Sequence, residues 1–232
     1  MDLILEGLRK AVKLLLAGDR EVMGITFLSL EVSGTATLLS LLVGIPLGTA
    51  VGLSRFPGKR VVVSLVNTGM GLPPVVVGLF VSILLWRSGP LGSLGLLYTP
   101  AAIVIEQIVI AAPIVMGITI GAVQGLPAGL RLQLLALGAT RRQLLWMLVK
   151  EARLPLMAGV MAGFGGVVSE VGASIMVGGN IRGYTRVLTT ATVMETARGN
   201  FDVAIALSAV LLLACLTVNY LLTLVQQRER PR

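Results

Sequence analysis

The sequence predicts an all-α integral membrane protein with five transmembrane helices. Only 13% of its 232 residues are charged and 55% are hydrophobic, whereas a soluble domain has about 25% charged residues. The uncharged residues are concentrated in runs at residues 32–54, 61–86, 88–105, 154–169 and 203–227. A helix needs about 20 mostly apolar residues to cross a bilayer. The third and fourth runs reach that length when they are extended past Glu106 to about Val123 and past Glu170 to about Val177.

The first 20 residues differ from the spans that follow. Their apolar residues recur at helical spacing among cationic ones, at Leu3, Ile4, Leu8, Val12, Leu15 and Leu16. This pattern predicts an amphipathic helix that lies on the membrane surface. We therefore divide the chain into an interfacial helix at residues 1–20 and a transmembrane domain at residues 21–228.

Small residues and prolines mark the first two spans. The first, at about residues 24–53, contains Gly48-x-x-x-Gly52, a spacing that lets helix backbones approach closely. The second contains Pro73 and Pro74, which lack backbone N–H donors, so we expect a kink or break there and a structural role for both prolines. Similar glycine spacings in the third and fourth spans predict a tightly packed bundle.

Residues 124–153 form a basic, amphipathic island between two spans. Gly138 separates two short helical patterns, and residues 140–143 (TRRQ) have the form of a capping box. In that motif the Thr hydroxyl and the Gln amide each bind a backbone N–H at a helix start. A simple connection needs neither two helices nor a capped junction. We therefore interpret this loop as a docking surface for a soluble partner.

The distribution of cations predicts the orientation. Basic clusters at residues 55–60, 131–153 and 228–232 fall on one side of five alternating spans, which the positive-inside rule makes the cytoplasmic side. Residues 178–200 are too poor in apolar residues to span and predict a loop and a short helix on the external side. Five spans enclose a pathway poorly, so we expect two copies or a pair with a related subunit.

Several kinds of chemistry are excluded. The cations do not form a basic domain with stacking aromatic residues, which argues against nucleic acid as a partner. The chain has no histidine, which excludes His-based triads and His metal sites. Residues 52–60 resemble a phosphate-binding loop, but five residues separate the glycines instead of four, and Arg60 stands where Ser or Thr must hold magnesium. We thus expect no catalytic residue, metal or cofactor on this chain, and any nucleotide hydrolysis would belong to a partner.

Three carboxylates fall in or near the spans, where charges are costly. Glu31 is close enough to a helix start to reach water. Glu106, beside Gln107, is deeper and either bonds across helices or serves the function. Glu170 lies among small residues far along the fourth span, and we expect a functional or architectural role for it.

Two segments resemble a known family. Residues 137–140 (LGAT), followed by an apolar helix and Leu154-Pro155, resemble the cytoplasmic EAA loop of ABC importer permeases. Here residues 133–135 (QLL) replace the acidic start, and Leu-Pro comes four residues later than usual. Residues 170–196 (EVGASIMVGGNIRGYTRVLTTATVMET) and residues 73–78 resemble molybdate and tungstate permeases. The resemblance covers about residues 28–226 and is greatest to the tungstate permease subunit.

This resemblance implies the fold and the partners. It implies a type I ABC importer permease core in the cytoplasmic membrane of a prokaryote, with residues 124–153 containing the coupling helix. The partners would be a second copy of the chain, two ABC ATPase subunits that bind ATP and Mg²⁺, and an extracytoplasmic oxyanion-binding protein. ATP binding would close the ATPases, and the bundle would switch from inward-facing to outward-facing. The contacts with the ATPase would fall on Leu137, Gly138, Ala139, Thr140, Arg141 and Arg142.

The cargo implied by the resemblance, a dianion, places demands on the path. A fixed cation cluster at mid-membrane would trap it, whereas hydroxyl and amide groups solvate it transiently. The candidates are Ser169, Ser174, Asn180, Thr185, Thr189 and Thr190, with Arg186 as an attractant at the entrance. A carboxylate in contact with a dianion is strongly repelled at low dielectric. We therefore expect Glu170 to be protonated or held by backbone and hydroxyl donors, fixing the fourth span near Gly172.

Two alternatives stay open at this stage. In one the cargo is molybdate, sulfate or another small solute, since cargo selection would lie mostly in the binding protein. In the other the protein is a stand-alone channel or secondary transporter without ATPases. The capped, broken loop argues against the second alternative, because a channel needs no such docking element.

Overall fold

All regular secondary structure is helical in residues 2–228, the part that the computed structural model describes, and no strand occurs there. The helices are α1 (Asp2–Leu16), α2 (Arg20–Leu53), α3 (Lys59–Met70), α4 (Pro74–Leu85), α5 (Pro100–Gln124), α6 (Ala128–Ala136), α7 (Arg141–Glu151), α8 (Arg153–Val168), α9 (Gly172–Gly178), α10 (Leu188–Ala197) and α11 (Phe201–Arg228). A 3₁₀ turn at Gly92–Leu94 precedes α5. The all-α prediction is confirmed.

The membrane spans are of two kinds. Helices α2, α5 and α11 are each long and apolar enough to cross a bilayer. Two further spans consist of bent pairs, with an angle of 99° between α3 and α4 and of 62° between α8 and α9. Counting each pair as one span gives five among the described residues, as the sequence predicts.

The first break lies where the prolines predict it. Helix α3 ends at Met70, and α4 begins with Pro74 at its first position, after Pro73 in an extended conformation. A proline is tolerated at the first position of a helix, because that N–H would have no intrahelical acceptor in any case. The chain therefore stops one helix and starts another here, and the predicted break is confirmed.

The second break corrects the sequence analysis. A single helix was expected to run from Leu154 to about Val177, but α8 ends at Val168 and α9 begins at Gly172. No proline marks this position. The Thr189 hydroxyl donates to the carbonyl of Glu170 at 2.8 Å, and the Glu170 carboxylate accepts from the backbone N–H of Ala173 at 2.9 Å. These two hydrogen bonds take the place of helical backbone hydrogen bonds at the break. The bond from Thr189 comes from a segment 19 residues further along the chain.

The centre of the bundle is the close packing of α2 on α5. The two helices run in the same direction, because Gly44 faces Val115 and Gly48 faces Thr119. A Cβ atom at Gly48 would lie only 2.7 Å from the carbonyl oxygen of Met116, so any side chain there would separate the backbones. The glycine spacing of the first span thus serves close packing within one chain.

The two ends of the bundle differ in charge. What we call the basic end comprises residues 53–60, 124–153 and 226–228. The Lys59 ammonium at the start of α3 donates to the carbonyls of Gly52 and Ser54 at the end of α2, at 2.8 and 2.9 Å. Gln226 of α11 donates to the carbonyl of Leu154 of α8 at 3.4 Å. The expected basic clusters at 55–60 and 131–153 share one end, because Leu53 packs against Leu134, Leu144 and Leu148, while Arg230 and Arg232 lie outside the described residues.

The opposite end comprises residues 86–99 and 178–202 together with α1 and the start of α2. The N–H of Tyr98 donates to the carbonyl of Val177 at 2.8 Å, and Lys10 forms an ion pair with Asp202 at 2.5 Å. Helix α1 packs on the first turns of α11, where Gly7 faces Ile205. Its apolar side chains at Leu3, Ile4, Leu5, Leu8 and Val12 remain exposed. The placement of α1 on the membrane surface stays a prediction.

Cysteine labelling tests which end faces the cytoplasm. With Cys215 replaced by alanine, a cysteine at Ser88 is expected to react with an impermeant thiol reagent in intact cells, because Ser88 is exposed at the opposite end. Cysteines at Gln133 and Gln227, which are exposed at the basic end, should react only after permeabilisation. Labelling of Gln133 from outside would reverse the predicted orientation.

Candidate functional site

The docking loop folds on a small apolar core of its own. Helices α6 and α7 meet through Leu134, Leu144 and Leu148, all of which are buried. Leu53, at the end of α2, packs against this cluster. The loop is thus held against the bundle in a defined position. A surface that transmits a movement of a partner to the bundle requires such a fixed position.

The junction between α6 and α7 has two local locks. Gly138 adopts φ +81°, the left-handed conformation that ends a helix, and its N–H donates to the carbonyl of Leu135 at 3.0 Å. The Thr140 hydroxyl accepts from the N–H of Gln143 at 3.4 Å, and the Gln143 side chain accepts from the N–H of Thr140 at 2.8 Å. This reciprocal pair is the capping box expected from the sequence.

The predicted coupling residues occupy this junction. Leu137 is 83% exposed, a high value for a leucine in a loop that has its own core, and Arg141 and Arg142 are exposed on the first turn of α7. Ala139 packs partly against the core beneath. The junction thus exposes the apolar side chain of Leu137 together with Arg141 and Arg142. The contact of these residues with an ATPase stays a prediction.

A second feature lies within the bundle, where the two broken spans meet. Helices α4 and α9, which both begin at a break, pack so closely that a Cβ atom at Gly78 would lie 2.6 Å from the Cα of Ala173. A Cβ atom at Gly172 would lie 3.0 Å from Val75. The structure therefore brings the prolines at 73 and 74 and the Glu170 segment together. Non-helical backbone at membrane depth is tolerated only where protein or a water-filled cavity surrounds it.

Two carboxylates from different spans lie near this junction. Glu106 of α5 is fully buried and accepts a hydrogen bond from the Ser174 hydroxyl of α9 at 3.3 Å. The adjacent Gln107 donates to the carbonyl of Val167 at 3.2 Å. Glu170 is buried as well, with its carboxylate on the N–H of Ala173. The Glu106 carboxylate thus joins α5 to α9, the Glu170 carboxylate caps the first turn of α9, and Glu31 is exposed on α2.

Four of the candidate path residues are buried and engaged in internal hydrogen bonds: Ser174, Thr185, Thr189 and Thr190. The Thr185 hydroxyl donates to the carbonyl of Gly178 at 2.6 Å and accepts from the N–H of Ile181 at 2.9 Å. The Thr190 hydroxyl donates to the Asn180 side chain at 3.0 Å. In this conformation these hydroxyls hold residues 178–190 in place, and their contact with a cargo stays a prediction.

The remaining candidates differ in exposure, since Ser169 is exposed whereas the Arg186 side chain is only 12% exposed. Ser169 is exposed at the break and donates to the carbonyl of Gly165 at 2.8 Å. Arg186 lies at the opposite end, 3.6 Å from the carboxylate of Glu21. Arg182 donates to the same carboxylate, and this hydrogen bond raises the pKa of Arg182 above its ordinary value. The entrance candidate Arg186 is therefore partly neutralised by Glu21.

Helix α3 carries a polar stripe that was not predicted from the sequence. Ser64, Asn67 and Thr68 are exposed on one face of this helix and line a cavity of about 940 Å³. Arg55, Lys59 and Arg60 line the same cavity, at the basic end. The spacing of three and four residues between polar side chains was the available signal, but the apolar run around it was interpreted only as a span.

The chain matches a known family over most of its length. Residues 44–231 match the profile of the family described as binding-protein-dependent transport system inner membrane component. A probable anion ABC transporter permease protein of Haloferax volcanii is 43% identical over 205 residues, covering 86% of this chain and 88% of that protein. The permease protein TupB of the tungstate uptake system of Peptoclostridium acidaminophilum is 39% identical over 227 residues, covering 98% of this chain and all of that protein.

A solved structure shares the fold. An amino acid ABC transporter, crystallised with histidines, matches with a TM-score of 0.66 at 18% identity, over 92% of this chain and 96% of that chain. The predicted resemblance to ABC importer permeases is confirmed by the family profile and the relatives, and the predicted fold also by this structure.

Proposed function

The chain belongs to the family of binding-protein-dependent transport system inner membrane components, the permeases of ABC importers, and from that premise we propose that its cargo is tungstate. The observation that carries this proposal is the match to the tungstate permease of Peptoclostridium acidaminophilum, which extends over both chains almost end to end. The similarity to an anion permease of Haloferax volcanii supports an anionic cargo in general. The chain is a multi-pass inner-membrane protein, and we assign it to the cytoplasmic membrane of a prokaryote.

The proposed assembly contains two copies of the chain, two ATPase subunits and an external tungstate-binding protein. ATP and Mg²⁺ would bind to the ATPases. The exposed tip formed by Leu137, Arg141 and Arg142 would enter a groove on each ATPase. Because α6 and α7 share a core with the end of α2, a displacement of the tip would reach the α2–α5 pair at the centre of the bundle.

The polar stripe of α3 supports a path between two copies. Its side chains at Ser64, Asn67 and Thr68 point away from the core of their own chain, and a polar stripe within a span is unfavourable against lipid. A partner or a water-filled path would satisfy it. We propose that this stripe lines the inner half of the path, that Ser169 lies at its middle, and that Arg186 lies at its outer entrance.

A conservative substitution tests this path. Thr68→Val is expected to lower uptake several-fold, because it removes a hydroxyl that lines the cavity while it keeps the side-chain shape. Thr217→Val is the matched control, since Thr68 and Thr217 are both exposed and each donates to the carbonyl four residues earlier, at 2.9 and 2.8 Å. Equal uptake by the two variants, measured with equal amounts of assembled complex, would remove α3 from the path.

Reconstitution tests the function itself. The permease, its ATPase and the binding protein in proteoliposomes should take up radioactive tungstate only with ATP, and excess molybdate or sulfate should compete weakly. Uptake without the ATPase would show a channel or a secondary transporter instead. Molybdate competition as strong as that of unlabelled tungstate would favour the alternative cargo.

A further inference from the structure

A groove of about 1250 Å³ lies beneath the docking loop. Among the described residues that line it, only Arg55 also lines the cavity beside α3. Helix α7 covers it through Leu145, Trp146 and Val149, and the end of α2 and the start of α8 form its walls. Because α2 ends and α8 begins here, the groove lies where the membrane-spanning segments emerge at the basic end.

The mouth of the groove is strongly positive. Five cationic side chains and no acidic one are among the described residues that line it: Arg55, Arg131, Arg141, Lys150 and Arg153. Within residues 2–228, Arg55, Arg131, Arg141 and Lys150 form no ion pair with a carboxylate. Lys150 instead lies over the ring of Trp146, 5.8 Å from its centroid. Charges that the chain leaves without counter-ions favour an anionic occupant.

The floor of the groove is apolar and follows the spans. Ile45 and Ala50 of α2 and Leu156, Met157 and Val160 of α8 line it. From Ile45 to Leu53 the helix rises about 12 Å, so a floor along this segment extends into the hydrocarbon region when α2 ends at the membrane surface. A free oxyanion would use the mouth and leave this floor uncovered. An acidic protein surface would likewise pair with the cations of the mouth and leave the apolar floor uncovered.

We propose that this groove binds an anionic phospholipid, with the phosphate at the cationic mouth and an acyl chain along the apolar floor. Basic pockets between membrane helices on the cytoplasmic side are suited to anionic headgroups. The lipid would contact α7, α2 and α8 together and would therefore stiffen the connection between the docking loop and the bundle.

Tryptophan fluorescence tests the proposal on the intact chain. The sequence has two tryptophans, Trp86 and Trp146, so Trp86→Phe leaves Trp146 in the groove as the single reporter. The protein is placed in nanodiscs of phosphatidylcholine that contain a small fraction of brominated lipid. Brominated phosphatidylglycerol is expected to quench Trp146 at a much lower mole fraction than brominated phosphatidylcholine. Equal quenching by the two lipids would overturn the proposal. This comparison needs no substitution among the residues that line the groove.

Charge variants locate the effect. In the Trp86→Phe background, the double substitution Arg131→Gln and Lys150→Gln should lower the preference for phosphatidylglycerol by about 25-fold, which is about fivefold for each cation. The matched control, Arg60→Gln with Arg142→Gln, removes two charges from the same end but outside the groove and should change the preference less than twofold. An equal loss in both pairs would show a general surface effect and refute a specific site.

Two further additions distinguish other occupants. Tungstate at millimolar concentration, compared with chloride at equal ionic strength, should not relieve the quenching, and relief would make the groove a site for free oxyanions instead. Addition of the ATPase should leave the lipid preference in place. A preference that disappears on assembly would assign the groove to the partner protein and overturn the proposal.

Discussion

Replacing Gly138 with valine is expected to lower ATP-driven uptake by about tenfold or more while the spans remain inserted. Gly138 adopts φ +81° between α6 and α7, and the left-handed conformation costs a residue with a side chain roughly 1–2 kcal/mol, most for a β-branched one. A Cβ atom there would meet no neighbour within 4 Å. The expected damage is therefore a change of backbone conformation that moves Leu137 and Arg141, and not a steric clash.

Asparagine is the matched substitution at this position. It also introduces a side chain, but it enters the left-handed region far more readily than valine, so Gly138→Asn should retain most of the uptake. The measurement is tungstate uptake into proteoliposomes, together with co-purification of the ATPase. Normal uptake by the valine variant would refute the docking assignment and leave the loop as a solvated connection.

Local chemistry made much of the fold predictable. The break at Pro73 and Pro74 follows from missing N–H donors, and the start of α7 follows from Thr140 and Gln143, which lie three residues apart. Each of these signals is contained in a few adjacent residues. The charge distribution also predicted that the 55–60 turn and the 131–153 loop share one end.

Long-range contacts explain what the sequence did not reveal. The break after Val168 is held in part by Thr189, 19 residues from Glu170, and nothing in residues 168–172 indicates that partner. The burial of Thr185 and Thr190 likewise depends on how residues 178–190 fold back on themselves. Hydroxyl groups interpreted as path residues are used in this conformation to hold a loop, and the sequence alone does not distinguish these two uses.

Glu170 provides the second large effect, and the expected result differs between two substitutions. Its carboxylate accepts the N–H of Ala173 at 2.9 Å, where α9 begins. Alanine would leave that buried donor without an acceptor, at a cost of about 1–3 kcal/mol. Glutamine keeps an oxygen in the same place. We therefore expect Glu170→Ala to lower the thermal midpoint and the yield of complex, and Glu170→Gln to preserve assembly with part of the uptake.

The second carboxylate of the junction is unchanged in both variants. Glu106 of α5 accepts from the Ser174 hydroxyl of α9 at 3.3 Å, so this hydrogen bond between α5 and α9 does not depend on the residue at position 170. Glu31→Gln is the control, because Glu31 belongs to a span but is exposed, and it should change neither stability nor uptake appreciably.

Uptake and assembly must be measured on the same samples. Comparing the two measurements separates a role of Glu170 in positioning α9 from a role of its negative charge in transport. If the residue positions α9 against α4, uptake should follow the amount of stable complex, and the glutamine variant should transport more than the alanine variant. A glutamine variant that assembles fully and yet transports no better than alanine would show that the negative charge itself takes part in transport. The packing of Gly78 on Ala173, beside this carboxylate, favours the positioning role.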